Sequence, residues 1–181
     1  MRNNIIFSLI LIGLFTVFAS CSRTGSNGKK ALSDSLISAT QNIAIGNANF
    51  GISEKAFNRQ FPDSLANLGG NKHIVSAYFG NNGGLEKVYL IDEATFNNQK
   101  FDANLMKRLE LIKGYFMNTY GLPDEDRGYP IQKKMQDGKL FESYVWEVGK
   151  KRISAGIGLE KTARGDIYYV LSHVDRQKST N

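Results

Sequence analysis

Apolar and polar positions divide the chain into contrasting segments. Ile5 to Ala19 (IIFSLILIGLFTVFA) is almost wholly apolar and follows one positive charge, Arg2. Residues 22 to about 40 (SRTGSNGKKALSDSLISAT) are polar and rich in Gly and Ser, the composition of a flexible tether. Beyond them the pattern reads as two passes of one plan. The first opens with a short strand around Ile43 to Phe50. Ser53 is placed to cap a helix, with Glu54 in its first turn. Phe57 and Phe61 fall on one helical face, and Pro62 stops the run. Two strands follow, His73 to Phe79 and Leu85 to Ile91. Gly80-Asn81-Asn82-Gly83-Gly84 joins them as a hairpin connection.

The second pass is clearer. Asp102 is positioned to cap a helix reaching about Tyr120. Leu105, Leu109, Ile112, Phe116 and Tyr120 form its apolar stripe. Gly121 suits a left-handed C-cap, and Pro123 prevents continuation. Strands are predicted at Leu140 to Val148, Arg152 to Leu159 and Ile167 to Val174. In the middle strand Ile153, Ala155, Ile157 and Leu159 share one face, while Ser154, Gly156 and Gly158 share the other. That alternation predicts one buried and one bare face, and bare glycines permit a close approach. Tyr144 and Trp146 alternate onto one face of the preceding strand, with Phe141, Ser143 and Val145 on the other. Helix then antiparallel strands, twice, implies an α+β fold with helices packed on one face of an antiparallel sheet. The echo between NRQFPDS (Asn58 to Ser64) and NTYGLPDED (Asn118 to Asp126) points to a tandem helix–strand repeat.

The N-terminal segment reads as an export signal: charge, short apolar core, then small residues. Its apolar stretch is shorter than the roughly 20 residues needed to span a bilayer, so a single-pass anchor is the second reading. Cys21 is the one cysteine in the chain. In an exported protein such a thiol pairs between chains, stays free or carries another group. Phe18-Ala19-Ser20-Cys21 resembles the lipobox of bacterial lipoproteins, apart from Phe18, where that family usually has an aliphatic residue. The resemblance implies cleavage after residue 20 and acylation of Cys21, which would anchor the protein to a membrane. Each buried acyl CH₂ contributes about 0.8 kcal/mol, and stable anchoring takes more than one chain. Ser22 stands where an aspartate can signal inner-membrane retention in the lipoprotein family. The resemblance therefore favours the outer membrane, facing the periplasm.

Charge adds little. The chain carries a formal net charge of +6, but its cations are scattered. Export argues against nucleic acid as a partner. Lys150-Lys151-Arg152 is the densest cluster and reads as a solvated hairpin turn, with anionic lipid head groups as the alternative contact. Gly28-Lys29-Lys30 lacks the spacing of a phosphate loop, and Gly156-Ile157-Gly158 that of a dinucleotide loop. His73 and His173 are the two histidines and read as structural. No spaced carboxylates or cysteines accompany them as metal ligands. Asp124-Glu125-Asp126 fails the calcium-loop pattern, with Tyr129 where Gly is needed and Met135 where Glu is needed. No G-x-S-x-G nucleophile motif occurs. The expectation is therefore no catalytic, metal or cofactor-binding residue. Aromatic residues with polar tips crowd the C-terminal strands. Tyr144, Trp146, Tyr168 and Tyr169 are candidates for an interaction surface, against the alternative of ordinary core packing.

Phe50-Gly51-Ile52-Ser53-Glu54-Lys55-Ala56-Phe57 resembles the helix entry of small outer-membrane-assembly lipoproteins, whose fold is similar to that of the β-lactamase-inhibitor protein. Phe61-Pro62-Asp63 departs from that family's leucine-glycine-x-proline ending. The resemblance implies protein–protein scaffolding without a cofactor. The expected organisation is a signal peptide at 1–20 and a lipidated Cys21 with tether over 21–40. A single α+β domain follows at 41–175, with a disordered tail at 176–181. The expected role is a non-enzymatic, lipid-anchored envelope module that binds a protein or another envelope component. A lipid-tethered hydrolase and a small-ligand carrier are the alternatives.

Overall fold

The computed structural model describes residues 32–177. The export signal, Cys21, residues 22–31 of the tether and most of the expected tail lie outside the described residues.

Ser33 accepts the Leu36 N–H, and Asp34 sits in the first turn, so helix α1 (Asp34–Thr40) starts with a complete N-terminal signal. Its Ile37 packs against the core. The expected tether is thus corrected at its C-terminal end: residues 34–40 are helix, held by packing that composition could not reveal. The single strand expected at Ile43 to Phe50 is instead a small hairpin of β1 (Ile43–Ile45) and β2 (Ala48–Asn49). Gly46, at φ 54°, turns the corner.

Helix α2 (Glu54–Gln60) begins at Ser53 as its pattern predicts, and Ser53 accepts the Ala56 N–H. Strands β3 (Leu65–Leu68), β4 (Asn71–Phe79) and β5 (Leu85–Asp92) form a meander. A 3₁₀ turn (Glu93–Phe96) starts at Asp92, which accepts the Ala94 N–H. Helix α3 (Ala103–Tyr120) is capped by Asp102 and closed at Gly121. Strands β6 (Glu125–Asp126), β7 (Lys139–Val148), β8 (Lys151–Thr162) and β9 (Gly165–Arg176) complete the chain.

The larger sheet has seven strands in the order β3-β4-β5-β9-β8-β7-β6, and every neighbouring pair is antiparallel. With three α-helices among the described residues, the class is mixed α+β. Helix α3 lies against β7, β8 and β9. Its stripe, Leu105, Leu109, Ile112 and Phe116, is buried against Trp146, Ile153, Val170 and Val174. Each such side chain contributes about 1.5–3 kcal/mol on burial. Trp146 also donates its indole N–H to the Gly121 carbonyl at 3.0 Å, satisfying one of the helix's terminal acceptors.

Two expectations about the strands are corrected. The register of β7 on β8 shifts between Glu142 and Tyr144. This bulge places Phe141, opposite Ile157, on the same face as Tyr144 and Trp146 rather than with Val145. The glycine face of β8 is also not bare, because Ser154, Gly156 and Gly158 are all buried. A Cβ on Gly156 would strike the Phe141 carbonyl, where the bulge presses inward. One on Gly158 would strike the Tyr169 ring, which lies flat across it.

Candidate functional site

Alternation along a strand sends neighbouring side chains to opposite faces. On β9, Tyr168, Val170, Ser172 and Val174 face α3 and are buried, whereas Tyr169, Leu171, His173 and Asp175 face away and are half-buried. Pairing extends this outer face across the sheet. Ser76 lies opposite Tyr89 and Tyr89 opposite His173; Ile74 lies opposite Ile91 and Ile91 opposite Leu171.

Tyr89, Ile91, Ile167, Tyr169 and Leu171 line a groove of about 380 Å³ on this face. The 3₁₀ turn after β5 supplies its rim. Phe96 stands 63% exposed there, while Thr95 is buried and its hydroxyl has no hydrogen-bond partner among the described residues. Ser76, Gln99 and Glu160 complete the lining. The Tyr169 ring lies close over Gly158, an approach that the missing side chain permits. Burial, then the carboxylates of Glu160 and Asp137, push the Tyr169 phenol's pKa up.

The other half of the outer face is charged and internally neutralised. Arg152 makes two 2.8 Å bonds to the Glu142 carboxylate and sits 3.4 Å from Glu147. The Arg152 bonds hold the Glu142 carboxyl below the usual range, against its burial. Lys87 pairs with Asp175 at 3.0 Å. His173 packs edge-on against Tyr89, and burial lowers its pKa.

Of the four aromatic residues expected on an interaction surface, Tyr144, Trp146 and Tyr168 are buried at 2%, 0% and 5% exposure. This corrects the expectation for those three. They belong to the face under α3, where Tyr144 donates to Glu110 and Lys113 lies over its ring. Tyr169 alone reaches the groove. Cys21 lies outside the described residues.

The basic cluster is also corrected. Lys150 is exposed in the turn, but alternation sends Lys151 inward to 0% exposure and Arg152 into its ion pairs. The Lys151 ammonium donates to the Thr40 and Ile43 carbonyls and the Tyr120 hydroxyl. Burial lowers its pKa to about 8. A second, polar cleft of about 300 Å³ lies between Gly51, Glu86, Lys150 and Arg176. It sets one carboxylate among its two cations, and the Gly51 and Leu85 N–H groups beside it already serve backbone bonds.

The two histidines sit on opposite faces of the sheet. His73 is buried opposite Asp92, its Nδ1 3.1 Å from the Asn71 carbonyl. Burial lowers its pKa, against Asp92 and that carbonyl. Asp92 in turn lies 3.4 Å from Arg108, whose guanidinium also donates to the Asn98 carbonyl. Asp92 and Arg108 thereby tie the start of the 3₁₀ turn to α3. The acidic run is engaged as well. Asp124 accepts the Glu147 N–H, Asp126 accepts from Lys113, and Arg127 bonds Glu125. Among the described residues no group of three or more His, Cys, Asp or Glu side chains is arranged to hold a metal ion. No helix among them is long and apolar enough to cross a membrane.

Sequence reading missed Tyr89, Ile91, Phe96 and Leu171. Their signal is present in LEKVYLI (Leu85 to Ile91), where both faces of the strand carry large apolar residues in its second half. Ordinary one-sided strands do not read this way. No family model matches the chain, and neither do curated proteins or solved structures.

Proposed function

We propose that this chain is a non-enzymatic, lipid-anchored lipoprotein of the cell envelope that binds a protein partner through the outer face of its sheet. The observation that carries the binding half is the groove between Tyr89, Phe96 and Tyr169. It is an aromatic-walled depression whose rim ring is 63% exposed. Exposed apolar depressions of this kind mark interaction sites. The anchoring half rests on Phe18-Ala19-Ser20-Cys21, with Ser22 favouring the outer membrane.

The finer architecture supports the same reading. Phe57 of α2 meets Phe79, and Lys151 reaches Thr40 of α1, both on the face that α3 covers. These contacts favour a reading with the described α-helices on one side of the sheet and the other side left for a partner. The two meanders, α2-β3-β4-β5 and α3-β7-β8-β9, join through their last strands. That arrangement is what a tandem repeat related by a two-fold axis would produce. A second reading, a small-ligand carrier, is favoured by the groove's volume, which falls at the lower end of the range for ligand pockets.

The test uses full-length protein expressed in its native membrane, with a photo-crosslinking residue at Phe96 or, as a control, at Lys107 on exposed α3. The reading expects a discrete protein adduct from position 96 and none from 107. Identical patterns would overturn the binding half. Mass spectrometry of the mature N-terminus should find acylated Cys21, and an unmodified N-terminus would overturn the anchoring half.

A further inference from the structure

The groove's charge is as informative as its shape. Glu160 is the one charged side chain lining it, and it makes no ion pair among the described residues. Arg152 neutralises Glu142 and Glu147, and Lys87 neutralises Asp175. Lys87 approaches the Tyr89 ring at 5.5 Å, its charge already compensated by Asp175. A lone carboxylate beside three aromatic rings makes a site complementary to a cation. The ring faces attract positive charge through their quadrupoles, and the carboxylate adds direct attraction. The buried Thr95 hydroxyl, without a hydrogen-bond partner in the described body, supplies an unused polar contact in the same wall.

We propose that the groove recognises a lysine- or arginine-bearing segment of the partner protein, with the cationic head between Phe96, Tyr169 and Glu160 and a neighbouring apolar side chain against Ile91 and Leu171. This rests on the binding reading above and names the chemistry of the partner. An open groove on a sheet face suits a side chain carried on an extended segment. The long stem of Lys or Arg matches the apolar floor while its head meets the carboxylate. Arginine is the stronger candidate, because its planar guanidinium stacks on rings and bonds a carboxylate at once.

The experiment titrates the full chain, solubilised in a mild non-ionic detergent, with acetyl-Leu-Arg-Leu-amide and with its neutral isostere, acetyl-Leu-citrulline-Leu-amide. The readout is the NMR shifts of the Tyr89, Phe96 and Tyr169 rings. The arginine peptide should shift those rings and bind roughly tenfold tighter than the citrulline peptide, as expected when cation–π and carboxylate attraction combine. Glu160→Gln should bring the two affinities together, and Phe96→Ser should weaken both. Both positions are exposed, and the Trp146 emission spectrum checks that each variant stays folded. Equal binding of the two peptides overturns the cation preference while leaving the groove as a binding site. Preference that survives Glu160→Gln overturns the role of the carboxylate. Binding by neither peptide overturns the proposal, and a position-96 adduct would then show whether the parent reading survives it.

Discussion

The two faces of the seven-stranded sheet are built from the same strands and behave as different materials. The face under α3 is closed. Trp146, Ile153, Ile157, Leu159, Val170 and Val174 are each at most 2% exposed. Its polar groups are held internally, Lys151 by two carbonyls and a phenol and Tyr144 by Glu110. The outer face is half open, with an aromatic groove at one end and matched ion pairs at the other. The difference teaches that one strand can close a core with one set of side chains and wall an open groove with the other, alternation keeping the two apart. On β9, Tyr168 packs on Phe101 at 5.2 Å, whereas the adjacent Tyr169 forms a groove wall.

The comparison predicts a graded set of effects. Trp146→Ala empties the closed face and removes the bond to Gly121, so it should cost about 3–5 kcal/mol in denaturant unfolding. A cost under 1 kcal/mol would mean that this face is not the core. Gly156→Ala comes next. Its methyl would meet the Phe141 carbonyl, a backbone atom that cannot swing aside, and overpacking of this kind costs about 1–3 kcal/mol.

Lys151 makes the closed face pH-sensitive. Its pKa falls to about 8 by burial, so above that pH the folded protein has released a proton that the unfolded chain still holds. Stability should therefore rise as pH increases from 8. At about 1.4 kcal/mol per unit of difference, the gain by pH 9.5 is about 2 kcal/mol. Tyr120, pushed up to about 12 by burial, acts in the opposite sense above pH 10. Lys151→Met should flatten the rise between pH 8 and 9.5, and an unchanged slope in the variant would assign it elsewhere.

On the outer face the effects shrink. Gly158→Ala meets first the Tyr169 side chain, which can shift where the backbone carbonyl opposite Gly156 cannot, so its stability cost should be at least 1 kcal/mol below that of Gly156→Ala. The Tyr169 resonances should nevertheless move. Phe96→Ser should leave stability within about 0.5 kcal/mol of the parent chain. A larger loss by calorimetry would place Phe96 in the core instead of at a binding rim.

Helices α2 and α3 were legible because their signals are local: Ser53 with Glu54, and Asp102 with the stripe from Leu105 to Phe116, whereas the short α1, with its Ser33 cap, was hidden in the polar composition of the tether. The long strands were legible from their alternation and glycine turns. The four-residue strand β3 was too short to carry a pattern. The β7 bulge leaves no mark in FESYVW (Phe141 to Trp146), because the inserted residue is as ordinary as its neighbours. The groove was hidden for a different reason. Tyr89 and Ile91 alternate with Val88 and Leu90, and Tyr169 and Leu171 with Tyr168 and Val170. Both sets are equally apolar. Which set lies under α3 depends on packing between segments far apart in the chain. For the same reason the sequence left Tyr144 and Trp146 open between surface anchors and core packing, and α3 covers them.

Hydroxyl-radical footprinting of the full-length protein, once in its native membranes and once purified, tests the distinction between the faces most directly. Oxidation of Tyr89, Phe96 and Tyr169 in the purified protein, with protection of all three in membranes, is the predicted result. Tyr144, Trp146 and Tyr168 should stay unreactive in both. Equal oxidation of the groove rings in the two preparations, or reaction at Trp146, would contradict the account.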